Sequence, residues 1–140
     1  MYIGDFSKIT GINEDTLRYY EKIGLISPER IGNNRDYTNE DKIRIETIVY
    51  LKDLNFTLSE IKEILTLDDV ITSDIDNGRF DSDKVNKLRA ITENKLKYLE
   101  EKEIEMAIVK NILKKMLKKL SFFEEKKEIP KTFNINSENI

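Results

Sequence analysis

The 140-residue sequence predicts a mainly α-helical fold, in which a small N-terminal domain of short helices and one β-hairpin precedes a single long helix. Three observations support this prediction. Short amphipathic stretches separated by turn signals fill residues 1–65. The sequence Gly-Asn-Asn at 32–34 lies between two short extended pieces after Pro28, which is typical of a β-hairpin. Residues 82–120 contain neither Pro nor Gly, and nothing there interrupts a helix.

Composition limits the chemistry that the chain can perform. There is no Cys and no His, which excludes disulfides, thiolate metal sites, a cysteine nucleophile and the commonest general base. The net charge is −3, and residues 1–70 hold nine Lys and Arg against fourteen Asp and Glu. Bulk charge therefore gives nucleic-acid binding no support, and such a function must rest on where individual basic residues lie. With no signal peptide and no apolar run of ~18 residues, we expect a cytoplasmic protein without a membrane partner.

Two short helices joined by a glycine turn open the sequence. Apolar residues at a spacing of three, from Ile3 to Ile9, predict the first helix, which Gly11 ends. Asn13 is a suitable N-cap for a second helix over residues 14–23. A helix, a turn that contains glycine and a second helix form the helix-turn-helix pattern.

The second predicted helix has two chemically distinct sides. At about 100° per residue, Leu17 and Tyr20 share one side and are expected to hold the helix to the core. The other side presents a polar group to solvent or to a groove: Asp15, Arg18, Tyr19 and Lys22. Arginine binds guanine edges or phosphate, and a tyrosine hydroxyl donates to phosphate. We therefore predict that Tyr20 packs and that Tyr19 contacts DNA, with packing of both tyrosines at the core and its rim as the alternative.

A wing and two further helices are predicted next. The hairpin at 25–37 carries Arg30 and Arg35, and a two-stranded wing beside a helix-turn-helix usually rests on the DNA backbone. Capping-box spacings at 38–41 and 57–60 mark the starts of two more helices. We assign residues 1–70 to this domain and 71–81 to a connector, because the stretch after the last capping box becomes rich in Asp.

The long helix predicted over 82–120 would extend ~58 Å at a rise of about 1.5 Å per residue. Its C-terminal half shows heptad spacing of apolar residues, and its N-terminal half fits that pattern less well. Because one helix cannot bury its own apolar stripe, we predict a homodimer through the same helix of a second copy. The predicted interface residues are Leu88, Leu96, Leu99, Met106, Val109, Leu113, Met116 and Leu120. Residues 121–140 are assigned as a C-terminal tail, a candidate effector or partner region.

Three stretches, in order and at matching spacing, carry a family resemblance. They are TLRYYEKIGL at 16–25, the wing motif R-x-Y at 35–37 and LNFTLSEI at 54–61. With them, residues 2–65 resemble the MerR family of bacterial transcription regulators, and the long helix extends the resemblance more loosely. The resemblance implies a winged helix-turn-helix DNA-binding domain followed by a long antiparallel coiled-coil dimerisation helix.

The resemblance also implies a function. Family members bind double-stranded promoter DNA as dimers on a pseudo-palindrome, with the recognition helix in the major groove. On activation they bend and untwist the spacer between the −35 and −10 elements, which lets RNA polymerase engage both. The implied DNA contacts in this sequence are Thr16, Arg18, Tyr19 and Lys22 on the helix, and Arg35 and Tyr37 on the wing.

Departures from the family pattern bear on what the chain senses. Where metal-sensing members carry a cysteine, at the start of the long helix, this sequence has Phe80-Asp81-Ser82, and it has no cysteine elsewhere. Sensing of soft metals or through an iron–sulfur cluster is therefore excluded, no cofactor is expected, and a small non-metal effector is favoured. Three options stay open: an effector near Tyr98 or Phe122–Phe123, a protein partner at the tail, or no effector.

Two other functions stay open. An excisionase-like architectural DNA-binding factor would use a similar wing, although the long helix argues against it. A coiled-coil adaptor whose N-terminal domain binds protein would suit the acidic balance of residues 1–70. We do not expect an enzyme, because the carboxylates lie among charged neighbours with no His, Cys or Gly-rich phosphate loop nearby.

Overall fold

The computed structural model describes residues 1–126, which fall into two compact units, Met1–Thr92 and the residues from Glu93 onward. The predicted mainly α-helical fold with a two-stranded wing is confirmed. The elements in chain order are α1 (Ile3–Thr10), α2 (Glu14–Lys22), β1 (Glu29–Ile31), β2 (Asn34–Asp36), α3 (Asn39–Asp53), α4 (Leu58–Asp76) and α5 (Ser82–Lys126).

Local signals set the helix boundaries of the first unit. Gly11 ends α1 with a φ of 72°, a left-handed conformation that glycine adopts without strain. The side chain of Asn13 then caps α2 by accepting a hydrogen bond from the backbone N–H of Thr16 at 2.7 Å. The capping boxes predicted for α3 and α4 are both complete. Asn55 joins these two helices with a φ of 66°.

The core of the first unit draws apolar side chains from four helices and the loop that follows α2. Because α2 contributes its core side chains from one side only, its other side is left to solvent. The fully buried side chains are Phe6, Leu17, Leu25, Ile45, Ile48 and Ile61.

The connector predicted over 71–81 is shorter than expected, because α4 continues to Asp76. The half-buried residues Ile64, Leu67 and Ile71 continue the apolar stripe of α4 at spacings of three and four. Most of the acidic residues that indicated a connector lie on the exposed side of this helix. The chain leaves the helical conformation only near Gly78, whose φ is 72°.

Helix α5 begins at Ser82 as predicted but ends at Lys126 rather than at residue 120. The first six residues of the predicted tail, 121–126, are therefore helical, and the rest of that predicted region, 127–140, lies outside the described residues. Two ion pairs join the first turns of α5 to α4, Lys84 with Asp74 at 3.4 Å and Lys87 with Glu63 at 3.3 Å. Over residues 1–126, no helix combines the length and apolar character needed to cross a membrane.

Candidate nucleic-acid interface

Helix α2 presents the polar side that its sequence predicts. Leu17 is fully buried and Tyr20 is 2% exposed, whereas the neighbouring Tyr19 is 50% exposed. The packing role predicted for Tyr20 is therefore confirmed, and Tyr19 points away from the core. Arg18 and Lys22 are also exposed, and Thr16 is half-buried beside its cap.

The wing is tied to α2 through one carboxylate. Strands β1 and β2 pair antiparallel with Arg30 directly opposite Arg35, a like-charge pair that would destabilise an isolated hairpin. Glu21 of α2 accepts a hydrogen bond from Arg30 Nη2 at 2.8 Å and another from Arg35 Nε. This carboxylate offsets the repulsion between the arginines and places them beside α2. The α2–wing face comprises Arg18, Tyr19, Lys22, Arg30 and Arg35.

The ionisation of Glu21 reflects this arrangement. Burial by itself would raise the pKa of Glu21, but the hydrogen bonds and charges of Arg35 and Arg30 outweigh it and hold the pKa below its usual range. The same hydrogen bond raises the pKa of the Arg35 guanidinium. Glu21 is therefore a carboxylate at neutral pH, and the Arg35 guanidinium remains charged.

Arg18 is also held by acidic groups in the free protein. Its guanidinium lies 3.0 Å from a carboxylate oxygen of Glu14 and 3.1 Å from one of Asp15, on the preceding turn of α2. Each arginine of the α2–wing face is thus engaged by a carboxylate of α2. Three of the fourteen acidic residues in 1–70, Glu14, Asp15 and Glu21, therefore lie beside the arginines of this face.

Tyr37 does not lie where a phosphate contact would require it. The side chain is 3% exposed and its ring stacks on Phe6, with the ring centroids 4.2 Å apart. Its hydroxyl is buried without a hydrogen-bond partner among residues 1–126, and burial raises the pKa of this phenol. The structure thus gives Tyr37 a core position against Phe6 of α1, whereas the resemblance implies a wing position that holds phosphate.

Most of the predicted dimer-interface residues lie exposed on α5. Leu88, in the first unit, and Leu99, in the second, are half-buried. The other six are about half exposed: Leu96, Met106, Val109, Leu113, Met116 and Leu120. A second exposed apolar row on α5, which the predicted interface does not include, has a spacing of four and is formed by Ile104, Ile108 and Ile112.

Two of the residues considered for effector binding, Tyr98 and Phe122, are exposed to solvent. In the second unit, Tyr98 is exposed beneath the ammonium of Lys102, and the rings of Phe122 and Phe123 lie 6.3 Å apart. In the first unit, an open cleft of about 520 Å³ lies between the end of α4 and the start of α5. Across residues 1–126, no group of three or more Asp and Glu side chains is arranged to hold a metal ion.

Sequence reasoning found α2 and the wing but not the residue that joins them. Glu21 is one acidic residue among many, and its link to Arg35 spans fourteen positions and depends on the fold. The ion pairs of Arg18 could have been predicted from the sequence. Glu14 and Asp15 precede Arg18 by four and three residues, the spacings at which side chains meet on a helix.

This fold and this surface define a winged helix-turn-helix protein. The family model for the MerR HTH family regulatory protein matches residues 1–68. The chain is 30% identical over 117 residues to the mercuric resistance operon regulatory protein of Shigella flexneri, covering 82% of this chain and 73% of that protein. It is 35% identical over 108 residues to the ZntR homolog of Haemophilus influenzae, an HTH-type transcriptional regulator, covering 76% and 80% of the two chains.

A solved structure shares the fold. HiNmlR, a MerR family regulator lacking the sensor domain and bound to promoter DNA, superposes with a TM-score of 0.64 at 23% identity, over 90% of this chain and 91% of that one. The chain belongs to the MerR family. It is a DNA-binding transcriptional regulator of the MerR type.

Proposed function

We propose that the protein binds a pseudo-palindromic promoter operator as a homodimer and distorts the spacer so that RNA polymerase engages both promoter elements. The proposed DNA contacts are Thr16, Arg18, Tyr19 and Lys22 on α2 and Arg35 on the wing. Tyr37 is left out because its ring is buried against Phe6.

One observation carries the DNA-binding part of the proposal. Glu21 brings the arginines of the wing next to α2, so that Arg18, Tyr19 and the wing form one surface. A helix that reads base edges beside a wing that binds phosphate needs this placement. Because two copies related by two-fold symmetry present two such surfaces, the preferred DNA site is a pseudo-palindrome.

The apolar side chains of α5 support the homodimer. Met106, Val109, Leu113, Met116 and Leu120 are each about half exposed and follow heptad spacing. Exposure of so many large apolar side chains on one helix is costly in water, and antiparallel pairing with the same helix of a second copy would bury them.

Control by a small non-metal effector is the third part of the proposal. Its support is the absence of Cys and His from the whole sequence, which leaves no thiolate or imidazole ligand for a soft metal ion.

The experiment compares wild type with Arg18→Ala by binding to DNA from upstream of the protein's own gene and by analytical sedimentation. Arg18 is exposed, and its replacement leaves the core intact. We expect the variant to lose its preference for the upstream DNA while it sediments as a dimer. Retention of that preference would contradict the assigned role of α2, and a wild type that binds no DNA would favour the protein adaptor.

Promoter distortion is tested separately by in vitro transcription. A promoter whose spacer is shortened to ordinary length should no longer need the protein, because the two elements are already in register for polymerase. Equal dependence on the protein at both spacer lengths would argue against distortion and for an architectural or recruiting role.

A further inference from the structure

Three lysines from three different helices lie at the C-terminal end of α2. Lys22 is the last residue of α2 itself. Lys52, near the end of α3, has its Nζ 3.5 Å from the hydroxyl of Tyr20. Lys62, in α4, passes Gly24 so closely that a β-carbon at that position would lie 3.7 Å from the lysine Nζ. All three lysines are exposed, and together they are called the lysine cluster.

The lysine cluster differs from the arginines of the α2–wing face in its ionic partners. Arg18, Arg30 and Arg35 are each held by a carboxylate of α2. Among residues 1–126, no carboxylate lies within ion-pair distance of any lysine of the cluster. An anion can therefore bind these three ammonium groups without breaking an ion pair of the free protein.

Stabilisation of the fold explains only part of this arrangement. The distance from Lys52 to the Tyr20 hydroxyl is at the long limit for a hydrogen bond, so this contact contributes little. An ammonium near the last carbonyls of a helix interacts favourably with the helix dipole, and Lys22 already supplies one in the last turn of α2. Two further ammonium groups at the same end of the helix add repulsion between like charges, which opposes folding.

We propose that Lys52 and Lys62, together with Lys22, bind phosphates of the DNA backbone beside the groove that α2 enters. This inference rests on the proposed DNA-binding function of α2. The nine residues of α2 extend about 13 Å, which is close to the width of a major groove, about 12 Å. When such a helix lies across the groove, its end comes near a phosphate strand.

The charge of the helix end explains why lysines are needed there. The C-terminal end of α2 is the negative pole of the helix dipole and by itself repels phosphate. The three ammonium groups reverse the sign of the charge at this end. They supply affinity without sequence preference, because an ammonium is a point charge and phosphate is the same in every sequence.

The test is the double variant Lys52→Gln/Lys62→Gln, with dissociation constants measured for upstream DNA and for a scrambled duplex over a range of salt concentrations. Each lost phosphate contact retains counterions that wild type releases, so the slope of log affinity against log salt should become shallower by about two. Both DNAs should bind about tenfold more weakly at ~0.1 M salt. The ratio between the two affinities should stay unchanged within about twofold.

Two further variants separate a phosphate contact from other effects of the substitutions. Lys97→Gln/Lys118→Gln makes the same change in net charge at two exposed lysines of α5, which also have no carboxylate within ion-pair distance among residues 1–126. This control should leave the salt slope unchanged. Lys52→Arg/Lys62→Arg keeps both charges and should retain the wild-type slope. Denaturant unfolding establishes that each variant is folded, and the single variants Lys52→Gln and Lys62→Gln substitute if the double one is not.

The outcomes distinguish failure of the inference from failure of the proposed function. A double variant that keeps the wild-type slope, whether or not it is less stable, would show that these lysines serve the fold alone and would overturn the inference. An equal change of slope in the α5 control would also overturn it, because net charge would then be the cause. A wild type without preference for upstream DNA contradicts the proposed function, and the inference survives this result if the double variant still lowers the slope on both DNAs. A wild type that binds no DNA overturns both.

Discussion

The ring of Tyr37 lies against the ring of Phe6 with 11° between their planes, and this contact joins the end of the wing to α1. The chain start contributes as well, because the backbone N–H of Tyr37 donates to the carbonyl of Met1 at 2.7 Å. The wing is therefore attached at two points, through Tyr37 to α1 and through Glu21 to α2. Two attachments hold its arginines in a fixed place relative to α2.

Tyr37→Phe tests whether this tyrosine packs or contacts DNA. We expect the free energy of unfolding to stay constant or rise by about 1 kcal/mol, because the buried hydroxyl has no partner within residues 1–126. DNA affinity should be unchanged. Denaturant unfolding and fluorescence anisotropy measure the two quantities. A variant as stable as wild type that binds DNA more weakly would show that the hydroxyl contacts phosphate after all. Phe6→Ala, by comparison, should cost about 3 kcal/mol.

Glu21→Gln tests the attachment of the wing to α2. At pH 7 we expect a loss of about 1 kcal/mol of unfolding free energy, because the ionised carboxylate holds two arginines on a partly exposed surface. Since the pKa of Glu21 is lower in the folded protein than the ordinary value of 4.5, its contribution is complete above that value and disappears as the pH falls through the folded pKa.

The difference in stability between wild type and Glu21→Gln should therefore be constant near neutral pH and shrink below about pH 4.5. Denaturant titrations at several pH values measure it. A difference that keeps its size in acid would mean that the ionised form of Glu21 is not its source. Glu46→Gln, which removes an ion pair on α3, is the control for general charge effects.

Arg35→Ala tests the proposed phosphate contact of the wing. Binding should weaken by a similar factor on upstream and scrambled DNA, and the slope of log affinity against log salt should fall by about one. Lys87→Ala removes an exposed positive charge from the start of α5 and should leave the slope unchanged. An unaltered slope for Arg35→Ala would mean that this arginine serves the wing alone.

Leu113→Asp tests the proposed dimer interface. A carboxylate buried in a helix–helix interface without a partner is costly, so we expect sedimentation of a monomer. Asn111→Asp introduces the same group nearly half a turn away on the exposed surface of α5 and should remain dimeric. If Leu113→Asp also sediments as a dimer, the interface has been placed on the wrong side of the helix.

Local sequence signals predicted most of the fold, because they act over a few residues. Asn13 caps α2 and Gly11 ends α1, as their positions indicate. The length of α4 was underestimated because its acidic residues line the exposed side of a helix whose other side is apolar. The high Asp content of this part of the sequence indicated a connector, although its apolar residues have the spacing of three and four that is typical of a helix.

The candidate site was harder to predict where it depends on contacts distant in sequence. The exposed side of α2 follows from helical periodicity, and both Tyr19 and Tyr20 lie as expected. The burial of Tyr37 depends on Phe6, thirty-one positions away, and the role of Glu21 depends on how the hairpin folds back on α2. No local pattern encodes either contact.

The most direct test of the account is fluorescence anisotropy of the purified protein on DNA from upstream of its own gene and on a scrambled duplex, at two salt concentrations. We predict a preference of ~10³-fold or more for the upstream DNA that persists at the higher salt concentration. Equal weak binding to both duplexes that vanishes with salt would leave only nonspecific electrostatic attraction, and would contradict the proposal that α2 reads a promoter sequence.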